Sequence, residues 1–233
     1  MNYHLDFSVL LQPQYQSMLV QGLVLTLLLT ALAWSIGFGM GTVLALVRLT
    51  GSRTADASIS LYVAFHRNVP MMVHILFWYF GVPEILPDSI SGWLNENWGE
   101  FYLAAVAIGL VTAAYVCEDL RSAVRSIPEG QMEASRALGL GYLAAMSKVI
   151  LPQAFRIAIP PLVNQTLLLF KNTSLAMVIG VAELTASGRE VENLTFRTFE
   201  AYAVVTIVYL CISFLLMWGG ATLSRRFGLT GRH

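Results

Sequence analysis

Long apolar runs separated by short polar and basic clusters dominate this chain. A transmembrane helix needs about 20 mainly apolar residues, and five stretches are candidates. The first runs from Met18 to Val47 and carries Gly37, Gly39 and Gly41, small residues that let a neighbouring helix approach closely. The second, Ser58 to Val82, is interrupted by His66, Arg67 and Pro70. The third, Phe101 to about Val116, is expected to continue as helix to Ser126. The fourth covers about Ile157 to Val181 and the fifth Ala201 to Leu223. The pattern predicts a single-domain, all-α integral membrane protein with five transmembrane helices and its termini on opposite sides.

Composition agrees. Of 233 residues 56% are hydrophobic and 12% charged, with mean hydropathy +0.65. A soluble domain carries about 25% charged residues. The net charge of zero leaves no electrostatic footprint for nucleic acid. Cys117 and Cys211 both lie in apolar stretches and read as small buried side chains rather than a disulfide pair. Ala31-Leu32-Ala33 has the form of a signal-peptidase site, but no Lys or Arg precedes Arg48 and the apolar run continues to Val47, so the segment reads as the first span.

Basic residues concentrate on alternate connections: Arg48 and Arg53 after the first span, Arg121, Arg125, Arg136, Lys148 and Arg156 after the third, and Arg225, Arg226 and Arg232 after the fifth. The other connections hold Arg189 and Arg197 among many acids. The positive-inside rule then puts the N-terminus outside and the C-terminus in the cytoplasm. The external segment from Pro83 to Glu100 is acidic and carries Trp93 and Trp98, which suits an interfacial position. It reads as a solvated loop or as a docking surface for an external partner.

The cytoplasmic segment Glu118 to Pro161 is too long for a tight turn. Pro128 and Glu129 mark a helix start, with proline at the first helical position. That helix, Pro128 to Leu138, meets Gly139 and Gly141, which permit a left-handed stop. It presents Glu129, Glu133 and Arg136, with Met132 and Leu138 as apolar knobs, a shape that plugs into a groove on a soluble protein. A second helix starts near Tyr142 and is interrupted or ended by Pro152.

EASRALG followed by VILP resembles the signature loop of ABC importer permeases: Glu-Ala-Ala, three residues, Gly, nine residues, Ile, one residue, Leu-Pro. The matching positions are Glu133, Ala134, Ser135, Gly139, Val149, Leu151 and Pro152, with Ser135 and Val149 as conservative departures. The segments LYVAFHRNVPMMVHILFWYFGVPEILP, AAYVCEDLRSAVRSIPEGQ, LPQAFRIAIPPLVNQ and KNTSLAMVIGVAEL resemble the polar amino-acid permeases, and FHRNVP and VCED look closest to their glutamate/aspartate branch. The resemblance implies a type I ABC importer permease fold in a bacterial plasma membrane. It implies that the signature loop is a coupling helix docking on a cytoplasmic ABC ATPase dimer. It also implies pairing with an identical or sister permease and delivery of the amino acid by an external binding protein.

The chain lacks a Gly-x-x-x-x-Gly-Lys-Ser/Thr loop and cannot bind ATP by a P-loop itself; the resemblance implies that ATP and Mg are bound by the partner ATPase and that this chain is not itself an enzyme. No His, Cys and carboxylate cluster has metal spacing, and His4, His66, His74 and His233 are far apart in sequence, which argues against a shared site.

Ionisable groups at bilayer depth cost at least about 2.5 kcal/mol and face a bundle interior or a wet path. Arg67 and Asn68, beside Pro70, are candidates to line the path, Arg67 attracting a substrate carboxylate; a structural ion pair or backbone cap is the competing role. The fourth span carries Asn164, Gln165, Lys171, Asn172, Thr173 and Ser174. Asn164, Lys171 and Gly180 share one helical face, which reads as pathway or as permease–permease interface. Glu183 is a candidate for the external mouth, pairing with Lys171 or Arg189. Glu118 with Arg121 or Arg125 reads as a membrane-edge ion-pair network. The substrate expected is an acidic amino acid, with basic and neutral ones open. A secondary carrier or channel without an ATPase is the rival class, and it leaves the segment Glu118 to Pro161 unexplained.

Overall fold

The computed structural model describes residues 4–226. Among them the chain is helical throughout, and four helices are long and apolar enough to cross a membrane. The first is α1 (Pro13–Arg48), which begins earlier than hydropathy suggested because Pro13 opens it at the first helical position. The expected second span is instead two pieces, α2 (Arg53–Asn68) and the short α3 (Met71–Leu76), the latter running into a wider π-helical turn at Phe77–Gly81. The external connection holds a nine-residue helix, α4 (Asp88–Glu96), where the sequence suggested a loop. The third crossing is α5 (Gly99–Arg125), as expected.

Then come the short α6 (Glu129–Ala137) and α7 (Tyr142–Ala145). A π-turn at Met146–Ile150 leads into α8 (Leu151–Asn172), extended by a 3-10 turn over Thr173–Ile179. The helix passes through Pro152 rather than ending there. Its preceding turn is widened, with Leu151 N–H donating to the Met146 carbonyl, and this makes room for a residue that cannot donate. α9 (Leu184–Thr195) and α10 (Thr198–Arg226) complete the chain. Arg232 and His233 lie outside the described residues.

α5 is the central post, mostly buried along its length, whereas α10 is mostly exposed at the surface. α1 packs most extensively on α5, and the two run parallel: Gly37 lies against Thr112 and the Gly109 carbonyl, Gly41 against Val116 and the Ala113 carbonyl. A Cβ at Gly41 would sit 2.7 Å from the Val116 Cβ and 2.8 Å from the Ala113 carbonyl oxygen. Only glycine allows that approach. Gly39, expected with them, faces open space, being half a turn away. Leu29, Ala33, Ile75, Ala104, Ile108 and Leu169 form the main buried cluster, joining α1, α3, α5 and α8.

At the α4 end a short 3-10 turn, Phe7–Leu11, is tied down by polar contacts. The Asp6 N–H donates to the buried Glu200 carboxylate at 2.8 Å, and Arg197 donates to the His4 carbonyl at 2.8 Å. Hydrogen bonds from Ser8 hold the Asp6 carboxyl below the usual carboxylate range. Of the two cysteines Cys117 is buried as expected, but Cys211 is exposed on α10; both are free thiols.

Candidate functional site

The site begins at a break in the second crossing. Pro70 lacks an amide hydrogen and disfavours helical backbone just before it. Val69 is accordingly extended, at φ −99° and ψ 134°. α3 restarts with the Val73 and His74 N–H groups donating to the Pro70 carbonyl at 3.0 and 3.2 Å. In an unbroken helix eight residues rise about 12 Å. The change of direction at Pro70 closes that gap, and the His66 and His74 rings stack 5.1 Å apart, 3° from parallel. Sequence separation had argued against any shared site for these histidines. The break brings His66 and His74 together, although no group of three or more metal-ligating side chains forms among the described residues. Phe65 meets both rings edge-on, and the Tyr62 ring packs 4.1 Å from His66.

Two chambers adjoin this break and share Tyr115 of α5. The inner one, about 220 Å³, is lined by His66, Thr112, Tyr115, Gln165 and Asn172 among apolar residues and by no charged side chain. The other, about 410 Å³ and more polar, is lined by Arg48, Arg67 and Arg121 against the one carboxylate of Glu118, with Asn68 and Ser60. Arg48 is the hub there: it donates to Asp56 at 2.7 Å, to Glu118 at 3.1 Å and to Ser60 at 2.9 Å. Glu118 also accepts from Arg121, so the membrane-edge network exists, with Arg48 rather than Arg125 as its second cation. The Arg67 guanidinium lies over the Tyr115 ring, 5.0 Å from its centroid, and forms no salt bridge among the described residues.

The polar residues of the fourth span divide between two faces. Asn172 turns to the inner chamber together with Gln165, whose side chain donates to Asp119 at 3.2 Å. Asn164 and Lys171 lie exposed on another face, and Lys171 and Ser174 border a surface groove shared with α10. Thr173 is buried, its hydroxyl donating to the Phe170 carbonyl. The structure therefore does not bring Asn164, Lys171 and Thr173 to the chambers that Arg67, Asn68 and Asn172 line.

Glu183 departs furthest from expectation. It is fully buried and caps α9, accepting from the Thr185 and Ala186 N–H groups at 3.0 and 2.9 Å and from the Tyr209 hydroxyl at 2.8 Å. Neither Lys171 nor Arg189 pairs with it, because its oxygens are already satisfied within the fold. His66, Thr112, Tyr115 and Gln165 are the lining residues that sequence reasoning missed. Gln165 and Asn172 stand seven apart on one helical face, a spacing that would have paired them.

At the opposite end of the fold α6 starts after Pro128, which takes the N-cap position rather than the first helical one. Glu129, Glu133, Ala134 and Arg136 are exposed, while Ser135 is buried and donates to the Gln131 carbonyl at 2.6 Å. Gly139 adopts φ +84°, a left-handed bend that favours glycine. Met132, expected as an outward knob, packs inward near Ile127 and Ile150. The outward apolar residues are Leu138 and Leu143, 84% and 80% exposed. Leu151 is half-buried and Pro152 exposed.

Residues 35–229 match the family model of the binding-protein-dependent transport system inner membrane component. The chain is 32% identical to the glutamate/aspartate import permease protein GltJ of Escherichia coli K12, over 93% of this chain and 90% of that one. It is 35% identical to the glutamine transport system permease protein GlnP of the same strain, over 90% of this chain and 92% of that one. Among solved structures an amino acid ABC transporter with histidines superposes with TM-score 0.85 at 29% identity, covering 96% of this chain and 100% of that chain. The inward-facing MetNI methionine ABC transporter shares the fold, with TM-score 0.72 at 20% identity over 93% of this chain and 99% of that chain.

Proposed function

This chain belongs to the family of binding-protein-dependent transport system inner membrane components, and we propose that it is the permease subunit of an ATP-driven importer of acidic amino acids. The observation that carries the substrate class is the chamber at the α2–α3 break, where Arg48, Arg67 and Arg121 face one carboxylate. Arg67 is the guanidinium left without a carboxylate partner there, and it attracts the substrate carboxylate. The likeness to the glutamate/aspartate permease supports the same reading. Relatives named for glutamine and arginine favour a neutral or basic substrate instead.

The chain performs no chemistry. A partner ATPase dimer binds and hydrolyses ATP with its Mg, and its closure moves α6, whose exposed Glu129, Glu133 and Arg136 stand beside the apolar Leu138 and Leu143. Gly139 holds the bend that presents this face, and Leu151 and Pro152 carry the motion into α8. The break at Pro70 and the long α8 then switch the bundle between outward- and inward-facing states around the two chambers. α6 faces the cytoplasm, which places the N-terminus outside and the C-terminus inside. Asn164 and Lys171, exposed at membrane depth on α8, are covered by a second permease, since a bare polar face in lipid is costly. An external binding protein delivers the amino acid at the α4 end.

The test is ATP hydrolysis by the reconstituted permease–ATPase complex, stimulated by loaded binding protein across a panel of amino acids. Glutamate or aspartate is expected to stimulate; stimulation by another amino acid alone discards the acidic reading and keeps the importer. Glu133→Ala and Gly139→Leu are expected to uncouple hydrolysis from uptake, and full uptake in both contradicts the docking role of α6.

A further inference from the structure

The inner chamber has a hydrogen-bonding polarity that its residue list alone conceals. The His66 Nδ1 lies 3.0 Å from the Tyr62 backbone carbonyl. A carbonyl only accepts, so in the neutral ring Nδ1 carries the hydrogen and Nε2 is left with a lone pair. His66 lines the chamber, and with Nδ1 committed, Nε2 is the ring nitrogen left for any occupant. The ring cannot turn away from this duty: His74 stacks on one face of it, while Tyr62 and Phe65 pack around it. His74 is itself 2% exposed, its ring hydrogen-bonded to the His66 backbone and its Nε2 lacking a partner.

The neighbouring groups sort charge along the two chambers. Gln165, whose amide NH2 donates to Asp119, keeps its amide oxygen as an acceptor, Asn172 offers an acceptor and a donor, and no cation lines the inner chamber. The arginines gather beyond Tyr115. A zwitterion lying across Tyr115 would meet acceptors at one end and guanidinium groups at the other.

We propose that His66 Nε2 accepts a hydrogen bond from the α-ammonium group of the transported amino acid, which makes His66 a substrate-binding residue and His74 the positioning residue that holds its ring. This rests on the importer reading above. It assigns the inner chamber to the ammonium end, common to all amino acids, and leaves discrimination among side chains to the arginine chamber.

The experiment measures direct binding to the purified permease–ATPase complex, without binding protein, of glutamate and of glutarate, which lacks the ammonium. If the panel selects another amino acid, that one and its des-amino analogue are used. His66→Phe keeps an aromatic ring in the stack and removes the acceptor. It is expected to weaken glutamate about ten- to a hundredfold, the size of one hydrogen bond to a charged group, and to leave glutarate unchanged. Removing the ammonium and removing the acceptor are thus expected not to add. His66→Gln, whose amide oxygen accepts, is expected to recover part of the loss, and it also serves if the phenylalanine variant does not assemble. Equal weakening of both ligands, no weakening of glutamate, or no binding by a wild-type complex that still transports overturns the role of His66 and leaves the importer standing. A wild-type complex that no amino acid stimulates overturns both.

Discussion

α5 takes part in two regions built by opposite rules, and Thr112 belongs to both. Toward α1 its surface is dry and close: Gly37 and Gly41 bring the backbones near enough that the Thr112 and Val116 side chains fill the gap. Toward the α2–α3 break it faces space, with Thr112 and Tyr115 lining a chamber of about 220 Å³. In the first region the two backbones are in close contact at Gly37 and Gly41, so displacement there is costly and α1 with α5 moves as one body. In the second a helix is interrupted, a carbonyl has lost its donor and histidine rings substitute for regular backbone pairing. The difference teaches where a transport cycle can bend this molecule without unfolding it.

The contrast is broken most severely from the packed side. Gly41→Leu forces a side chain against the Ala113 carbonyl and the Val116 Cβ. It is expected to cost about 3 kcal/mol or more, read as loss of monodisperse, thermally stable complex after extraction; a normal melting temperature would show that the α1–α5 contact is softer than its distances indicate. Gly39→Ala, facing open space, is the control and is expected to be neutral or mildly stabilising.

An intermediate effect is expected at the hub of the polar chamber. Arg48→Met leaves Asp56 without its cation and Glu118 with Arg121 alone. The loss of charge-assisted bonds to an arginine only 7% exposed is expected to cost about 2 kcal/mol, measured as a lower melting temperature. An unchanged value would mean that the network serves the path alone.

The smallest effect on stability, and the most telling one for function, is expected at the break. Pro70→Ala restores an N–H donor to the second crossing and lets α2 and α3 join. Stability is expected to change by less than about 1 kcal/mol, while uptake falls several-fold and ATP hydrolysis persists. Unimpaired uptake with a straightened helix would remove the break from the mechanism.

Four of the five expected crossings were legible because apolar length reports burial in lipid almost directly. The short helix after α5 was legible because Pro128 and Gly139 are local start and stop signals. Glu183 was misjudged because an acid beside a span looks like a mouth residue until the start of α9 is known to need its oxygens. Asn164 and Lys171 were grouped correctly on one face, yet the identity of that face depended on which side of α8 meets α5.

By itself, then, the sequence determined that the chain is an all-helical membrane protein with a short helix between its third and fourth crossings, since hydropathy, proline and glycine act over a few residues. Only the tertiary structure decided that His66 stacks on His74, that Arg48 rather than Arg125 joins Glu118, and which polar side chains of α8 see the chamber. Those outcomes hang on the direction a helix takes after Pro70 and on the rotation of α8 against α5. Both are fixed by packing among residues distant in the chain, for which no local pattern exists.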